Sequence, residues 1–128
     1  MIRGIRGAAT VNENESEQIL TVTRSLISDI VKKNNVHPEE ISHIWITVSP
    51  DLDATFPARA LRDLDGFDRV PVMCAQEIPV DGGLEKCIRM MVTAETELSQ
   101  REVKHIYSGE AVKLRPDLVD ESKPLTNG

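Results

Sequence analysis

Read for the spacing of its apolar residues, the chain changes period several times. Its first stretch, Ile2 to Thr10 ("IRGIRGAAT"), is apolar and small with two arginines inside it, and reads as a strand. Successive strand side chains point to opposite faces, so Ile2, Gly4 and Arg6 share one face and Arg3, Ile5 and Gly7 the other. The period then lengthens. Ile19, Leu20, Thr23, Leu26, Ile27, Ile30 and Val31 follow helical spacing and predict an amphipathic helix. Asn14 and Glu17 predict a capping box at its start; Lys32, Lys33 and Pro38 predict its end. Ile44 to Ser49 ("IWITVS") is a β-branched strand stopped by Pro50. "FPARALRDLDG" predicts a second helix, with Pro57 in its first turn and Gly66 at its end. "RVPVMC" reads as a short strand, Asp81-Gly82-Gly83 as a turn, and "CIRMMVTAE" as the longest of the later strands. Ser99 and Glu102 predict one more short capped helical turn, and "VKHIYS" and "AVKLRP" two further extended pieces. The order β-α-β-α-β-β-(turn)-β predicts an α/β domain, a mixed β-sheet with helices on one face. A single domain is expected over residues 1–116, with 117–128 as a loose polar tail.

A sheet covered on one side leaves the other side to be explained. "IWITVS" and "CIRMMVTAE" are apolar on both faces in places, so the bare face needs a partner, and a second copy of the chain is the simplest one. Composition narrows the class. A chain of 128 residues suits one core, and with aromatics at 3% that core is built from Ile, Leu, Val, Met and Ala. The net charge of −6 argues against a nucleic-acid partner, although a local cluster of cations can still take a small anion. No apolar run approaches the roughly 20 residues that cross a bilayer, and the N-terminus lacks the apolar core of a signal peptide. Cys74 and Cys87 form no CxxC pair. The expectation is a cytoplasmic protein with reduced thiols and no membrane partner.

Polar residues with chemical potential fall at strand ends and turns: Arg6, Phe56, Arg59, Arg62, Cys74, Glu77, Arg89, Tyr107 and Arg115. Arg89 interrupts "CIRMMV", where a central strand favours an apolar residue. Arg6 sits between Ile5 and Gly7, and Glu77 stands at the mouth of a strand. A buried arginine is costly unless it meets an anion. Each residue also has a plainer reading. A strand arginine commonly makes a surface ion pair, Glu77 alone is a solvated carboxylate, Tyr107 a half-buried ring, and Cys74 an inert thiol. His37, His43 and His105 lack metal-ligand spacing, and there is no GxGxxG, GxxxxGK[ST] or HExxH. Pattern alone therefore ends at an acidic α/β protein with an arginine-lined, anion-accepting site and no implied cofactor or metal.

Longer blocks add to this. "MIRGIRGAAT", "TVSPDLDATFPARALRDL", "PVMCAQEIPVDGGLEKCIRMM" and "LRPDL" together resemble the small monofunctional chorismate mutases of the trimeric α/β-barrel class, from Ile2 to about Leu118. The resemblance implies a homotrimeric pseudo-α/β-barrel with the bare sheet faces at its centre and active sites in clefts between subunits. It implies conversion of chorismate to prephenate on the route to phenylalanine and tyrosine, without a cofactor. By the same resemblance Arg6 binds a substrate carboxylate, and Arg89 contacts the ether oxygen and a carboxylate. Glu77 accepts a hydrogen bond from the ring hydroxyl, with Cys74 beside it. Phe56 and Leu114 are pocket walls, Tyr107 touches the enolpyruvyl carboxylate, and Arg62 and Arg115 stand near the mouth. Arg59 replaces a common lysine and keeps its charge; Met73 replaces a common threonine and keeps its backbone N–H. The rearrangement is pericyclic, so Cys74 is not expected to act as a nucleophile. Arg6 and Glu77 are expected on opposite walls, from different chains. Two other functions are compatible with an arginine-lined site: a reactive-imine deaminase of similar fold, whose motifs are not apparent, and a non-catalytic trimeric sensor of an aromatic carboxylate. Arg89 and Glu77 discriminate, because a sensor needs no donor at an ether oxygen.

Overall fold

A computed structural model describes residues 1–115. Strand β1 (Ile2–Thr10) is followed by helix α1 (Ser16–Lys33), strand β2 (Ile41–Val48) and a short helix α2 (Arg59–Arg62). Strands β3 (Val72–Gln76), β4 (Cys87–Glu95) and β5 (Ile106–Tyr107) follow, with 3₁₀ turns at Pro38–Glu40 and Gly109–Lys113. The strands form one five-stranded sheet in the order β3-β2-β4-β1-β5. β4 lies at its centre, antiparallel to both β1 and β2, while β2–β3 and β1–β5 are parallel. The sheet is therefore mixed, in agreement with the sequence reading.

The period-two reading of β1 holds. Ile5 and Gly7 face α1, and Arg6 faces the other way. α1 buries Ile19, Leu20, Thr23, Leu26, Ile27 and Ile30, and its stripe meets Ile44 and Ile46 of β2 and Ile88, Met90 and Val92 of β4 in one apolar cluster. Each such side chain contributes about 1.5–3 kcal/mol when fully buried, so this layer dominates the stability of the domain. Gly7 is required by close approach: a Cβ there would stand 2.7 Å from Ile30 Cδ1 and 2.9 Å from Leu26 Cδ1.

Three local expectations are corrected and a fourth holds. Glu15, not Asn14, is the N-cap residue of α1, and it makes no side-chain cap bond. The Asn14 side chain instead accepts from the Asp53 and Ala54 amides and donates to Asp53 Oδ1, tying the loop after β2 to the start of the helix. The second helix is a single turn. Beyond it the amides of Leu64, Phe67 and Val70 each bond the carbonyl three residues back, because apolar residues recur at spacing three rather than 3.6. The described part of "AVKLRP", residues 111–115, does not form a strand: Gly109–Lys113 is a 3₁₀ turn, with Leu114 N–H donating to Ala111 O. The short capped turn expected at Ser99 and Glu102 is present: each side chain accepts from the other's amide, and the Val103 amide donates to Ser99 O as in one turn of helix.

The face opposite α1 is only partly bare. Ala111 of the second 3₁₀ turn packs on Ala8 and Cys87 at one end of it. That turn is anchored because Thr10 Oγ1 accepts from the Glu110 amide, and Gly109 (φ +61°) passes so near the hydroxyl that a side chain has no room. The rest of the face exposes Met73, Trp45 and Met91. Among the described residues no helix is long and apolar enough to cross a membrane. The expected tail at 117–128 lies outside the described residues.

Candidate functional site

Strand pairing assembles the site. Residues directly opposite in a sheet share a face, so Thr47, Arg89, Ala8 and Tyr107 form one row across β2, β4, β1 and β5. Met73, Trp45, Met91 and Arg6 form the row beside it. Both rows lie on the face away from α1. A cleft of about 480 Å³ opens over them, within the range of small-molecule sites. Arg6, Arg89, Glu77 and Tyr107 line it together with Leu114 and Arg115, which the second 3₁₀ turn delivers. Trp45, Thr47 and Met91 supply more of its lining.

Glu77 reaches this face although it follows the edge strand β3. Its amide donates to Val48 O at 2.8 Å, one more rung of the parallel β2–β3 ladder, and alternation from Ala75, which pairs with Thr47, sets Glu77 on the cleft face. Thr47 Oγ1 then donates to Glu77 Oε2, and Arg89 Nε stands 3.7 Å from the same oxygen. Both contacts fall on Oε2. Arg89 is 47% exposed and Glu77 31%, so the pair is wet and adds little to stability. Arg89 itself is fixed by position, since β4 is paired along both edges.

Arg6 is exposed into the cleft while its backbone amide donates to His105 Nδ1 at 2.9 Å. Burial pushes the His105 pKa below its ordinary value, and the Arg6 and Arg115 charges push it further in the same direction. The ring is thus held neutral, as an acceptor at Nδ1 must be. Three arginines converge on one cleft of a chain whose net charge is −6. Such a cluster opposes the global field and suits a compact polyanion. Among the described residues no three His, Cys, Asp or Glu side chains are grouped to hold a metal ion.

The remaining predicted residues are elsewhere. Phe56 is 73% exposed in the turn before α2, Arg59 Nη1 donates to Thr55 Oγ1 at 2.9 Å, and Arg62 is exposed at the end of the same helix. Met73 shares a row with Arg6 but lies three strands away, roughly 14 Å at ~4.8 Å per strand. Cys74 pairs with the buried Ile46 and points to the α1 side, packed against the core. Burial raises its thiol pKa, with a backbone bond to Ala58 acting more weakly the other way. Phe56, Arg59, Arg62, Met73 and Cys74 therefore form a second group at the β3 edge, apart from the arginine cleft. The expected separation of Arg6 from Glu77 is corrected: both line the same cleft of one chain. Sequence reasoning did not single out Trp45, Thr47 or Met91. Period two puts each on a face with a known partner, but only once strand register is available.

Comparisons with known proteins agree on a family. Residues 2–118 match the family profile of chorismate mutase type I. The chain is 48% identical over 118 residues to chorismate mutase AroH of Bacillus subtilis (strain 168), covering 92% of this chain and 93% of that protein. It is 44% identical over 119 residues to chorismate mutase AroH of Thermus thermophilus, covering 92% and 97% respectively. The solved chorismate mutase from Clostridium thermocellum superposes with a TM-score of 0.82 at 40% identity, over 85% of this chain and 96% of that one.

Proposed function

The chain belongs to the chorismate mutase type I family, and we propose that it works as a homotrimer whose active sites are completed between subunits. It is an isomerase of aromatic amino acid biosynthesis that rearranges chorismate to prephenate. The observation that carries the site assignment is the convergence of Arg6, Arg89 and Arg115 with Glu77 on one cleft.

Chorismate carries two carboxylates and an ether bridge. In its rearrangement one C–O bond breaks while a C–C bond forms, and no proton need move. The protein's work is to hold the chair-like conformer and to stabilise the charge that builds on the ether oxygen as C–O breaking runs ahead. Arg89 is placed for that oxygen: its strand is rigid and its guanidinium presents several donors in a fixed fork. Arg6 takes a carboxylate, with Tyr107 and Arg115 alongside. Glu77, engaged at Oε2, keeps Oε1 for the ring hydroxyl. Leu114 closes the apolar side.

A neighbouring chain supplies the other wall. Its Phe56 packs on the ligand, its Arg59 and Arg62 attract the ring carboxylate, its Met73 offers a backbone N–H, and its Cys74 stands near the ring hydroxyl. Two features support this arrangement. The two residue groups are too far apart within one chain to share a compact ligand. The exposed apolar row Met73, Trp45 and Met91 gives copies of the chain a reason to associate. A cytoplasmic setting fits two free thiols, Cys74 and Cys87.

Loss of chorismate absorbance with purified protein tests the activity, and sedimentation equilibrium tests the trimer. Active, stable monomers would sink the intersubunit site. Mixing Arg89→Ala and Arg59→Ala chains by co-refolding should restore a fraction of sites built from the two intact walls. No recovery would place both residues on one chain's site.

A further inference from the structure

We propose that His105, clamped by Asn34, is a positioning residue for Arg6, an inference that rests on Arg6 being a substrate-binding group. β5 is only two residues long and pairs β1 at Gly7 and Ala8. The Arg6 amide, one residue earlier, faces an edge where the strand ladder has ended. The backbone donor there has no strand partner, and the imidazole Nδ1 accepts from it at 2.9 Å in place of solvent. A side chain thus continues the ladder by one rung, beneath an arginine of the cleft.

His105 is itself held from the helix layer. Asn34, the C-cap residue of α1, is 3% exposed. Its Oδ1 accepts from the Lys104 amide at 2.7 Å and its Nδ2 donates to the Lys104 carbonyl at 2.9 Å. The side-chain amide so pairs with the residue next to His105 as a second strand would. Its other Nδ2 hydrogen goes to Ile30 O at 2.9 Å. The orientation is determined by these partners, because a flipped amide would set Oδ1 against two carbonyls. A carboxylate could not make the donations. Hydrogen bonds therefore run from the end of α1 through Lys104 and His105 to the backbone of Arg6.

The consequence is mechanical. The Arg6 guanidinium stands at the end of a long flexible stem, so any drift of its backbone is carried to the tip. Misplacement by about 1 Å can cost on the order of 10²-fold in rate or binding. Removing the rung leaves the exposed Arg6 amide to water, which does not hold its residue in place, while the rest of β1 stays paired with β4.

The test compares His105→Ala, His105→Asn and Arg6→Ala with the wild-type full chain in steady-state turnover of chorismate, with Tm recorded for each. His105→Ala should raise KM about ten-fold or more with a smaller change in kcat. His105→Asn, whose Oδ1 can replace Nδ1, should recover most of the loss. A folded His105→Ala with wild-type KM, beside an impaired Arg6→Ala, would overturn the positioning role alone. A silent Arg6→Ala would overturn the role of Arg6 and this inference with it. If His105→Ala fails to fold, NMR of the wild type decides: His105 should carry its proton on Nε2, with scalar coupling between Nδ1 and the Arg6 amide. A ring protonated at Nδ1 near pH 7 would refute the proposal.

Discussion

Replacing Arg89 by lysine separates charge from geometry in the cleft. Arg89 sits on the central strand, opposite Ala8 on one side and Thr47 on the other, so the substitution leaves the backbone where it is. The ion pair with Glu77 runs through Nε at 3.7 Å and is half exposed, so its loss costs at most about 1 kcal/mol of stability. The fold should survive. A lysine ammonium keeps the positive charge but lacks the fork by which, in the proposed role, one side chain faces Glu77, the ether oxygen and a carboxylate together. Loss of one preorganised donor at a developing oxyanion costs about 10²–10³ in kcat, or roughly 2.7–4 kcal/mol. KM should move less, since Arg6 and Arg115 still line the cleft. The assay is kcat at saturating chorismate, with circular dichroism and sedimentation confirming fold and assembly. A folded Arg89→Lys protein with near wild-type kcat would show that charge alone suffices, and would move the electrostatic role to Arg6.

Cys74→Ser should retain substantial turnover, because burial keeps the thiol protonated and the reaction needs no nucleophile; a covalent substrate adduct in mass spectrometry would refute this. Gly7→Ala should lower stability by about 1–3 kcal/mol, since the new methyl meets Ile30 and Leu26 of α1, and an unchanged Tm would show that the β1–α1 contact can relax. His105 should make stability fall with acid. Its pKa in the folded chain lies below the ordinary 6.5, so the unfolded chain binds the proton first as pH drops. Stability from this group is then complete above about pH 6.5 and is lost progressively below it, with Arg6 of β1 and Arg115 beyond the second 3₁₀ turn opposing protonation. His105→Asn should flatten that part of the stability-versus-pH curve, and an identical curve would assign the acid sensitivity to other groups.

What could be read from the sequence was whatever depends on near neighbours. Alternation placed Arg6 opposite Ile5 and Gly7, and 3.6-residue spacing located α1 and its buried stripe, because each rests on backbone periodicity alone. Misreadings arose where a near neighbour competes with a distant one. Asn14 has the composition of a helix cap, yet the Asp53 and Ala54 amides, brought close by the fold, take its side chain. "AVKLRP" has alternating character, yet the Thr10 hydroxyl and the small Ala8–Cys87 surface favour a 3₁₀ turn that lays Ala111 down flat. The site shows the same division. Arg89 and Glu77 are visible as oddities in their own segments, but Thr47, which bonds Glu77 and lies opposite Arg89, is polar and unremarked until register joins three strands. His105 lacks any local signal, since its partner amide is 99 residues away. The resemblance to a family gathered Arg89 and Cys74 into one site, whereas the sheet turns them to opposite faces. The resemblance and the geometry are reconciled if the blocks describe a cleft and the chain carries two half-clefts, one on the arginine face and one at the β3 edge. A sequence can encode both halves in one strand of text; in the assembly proposed above, association of copies is what makes them face each other.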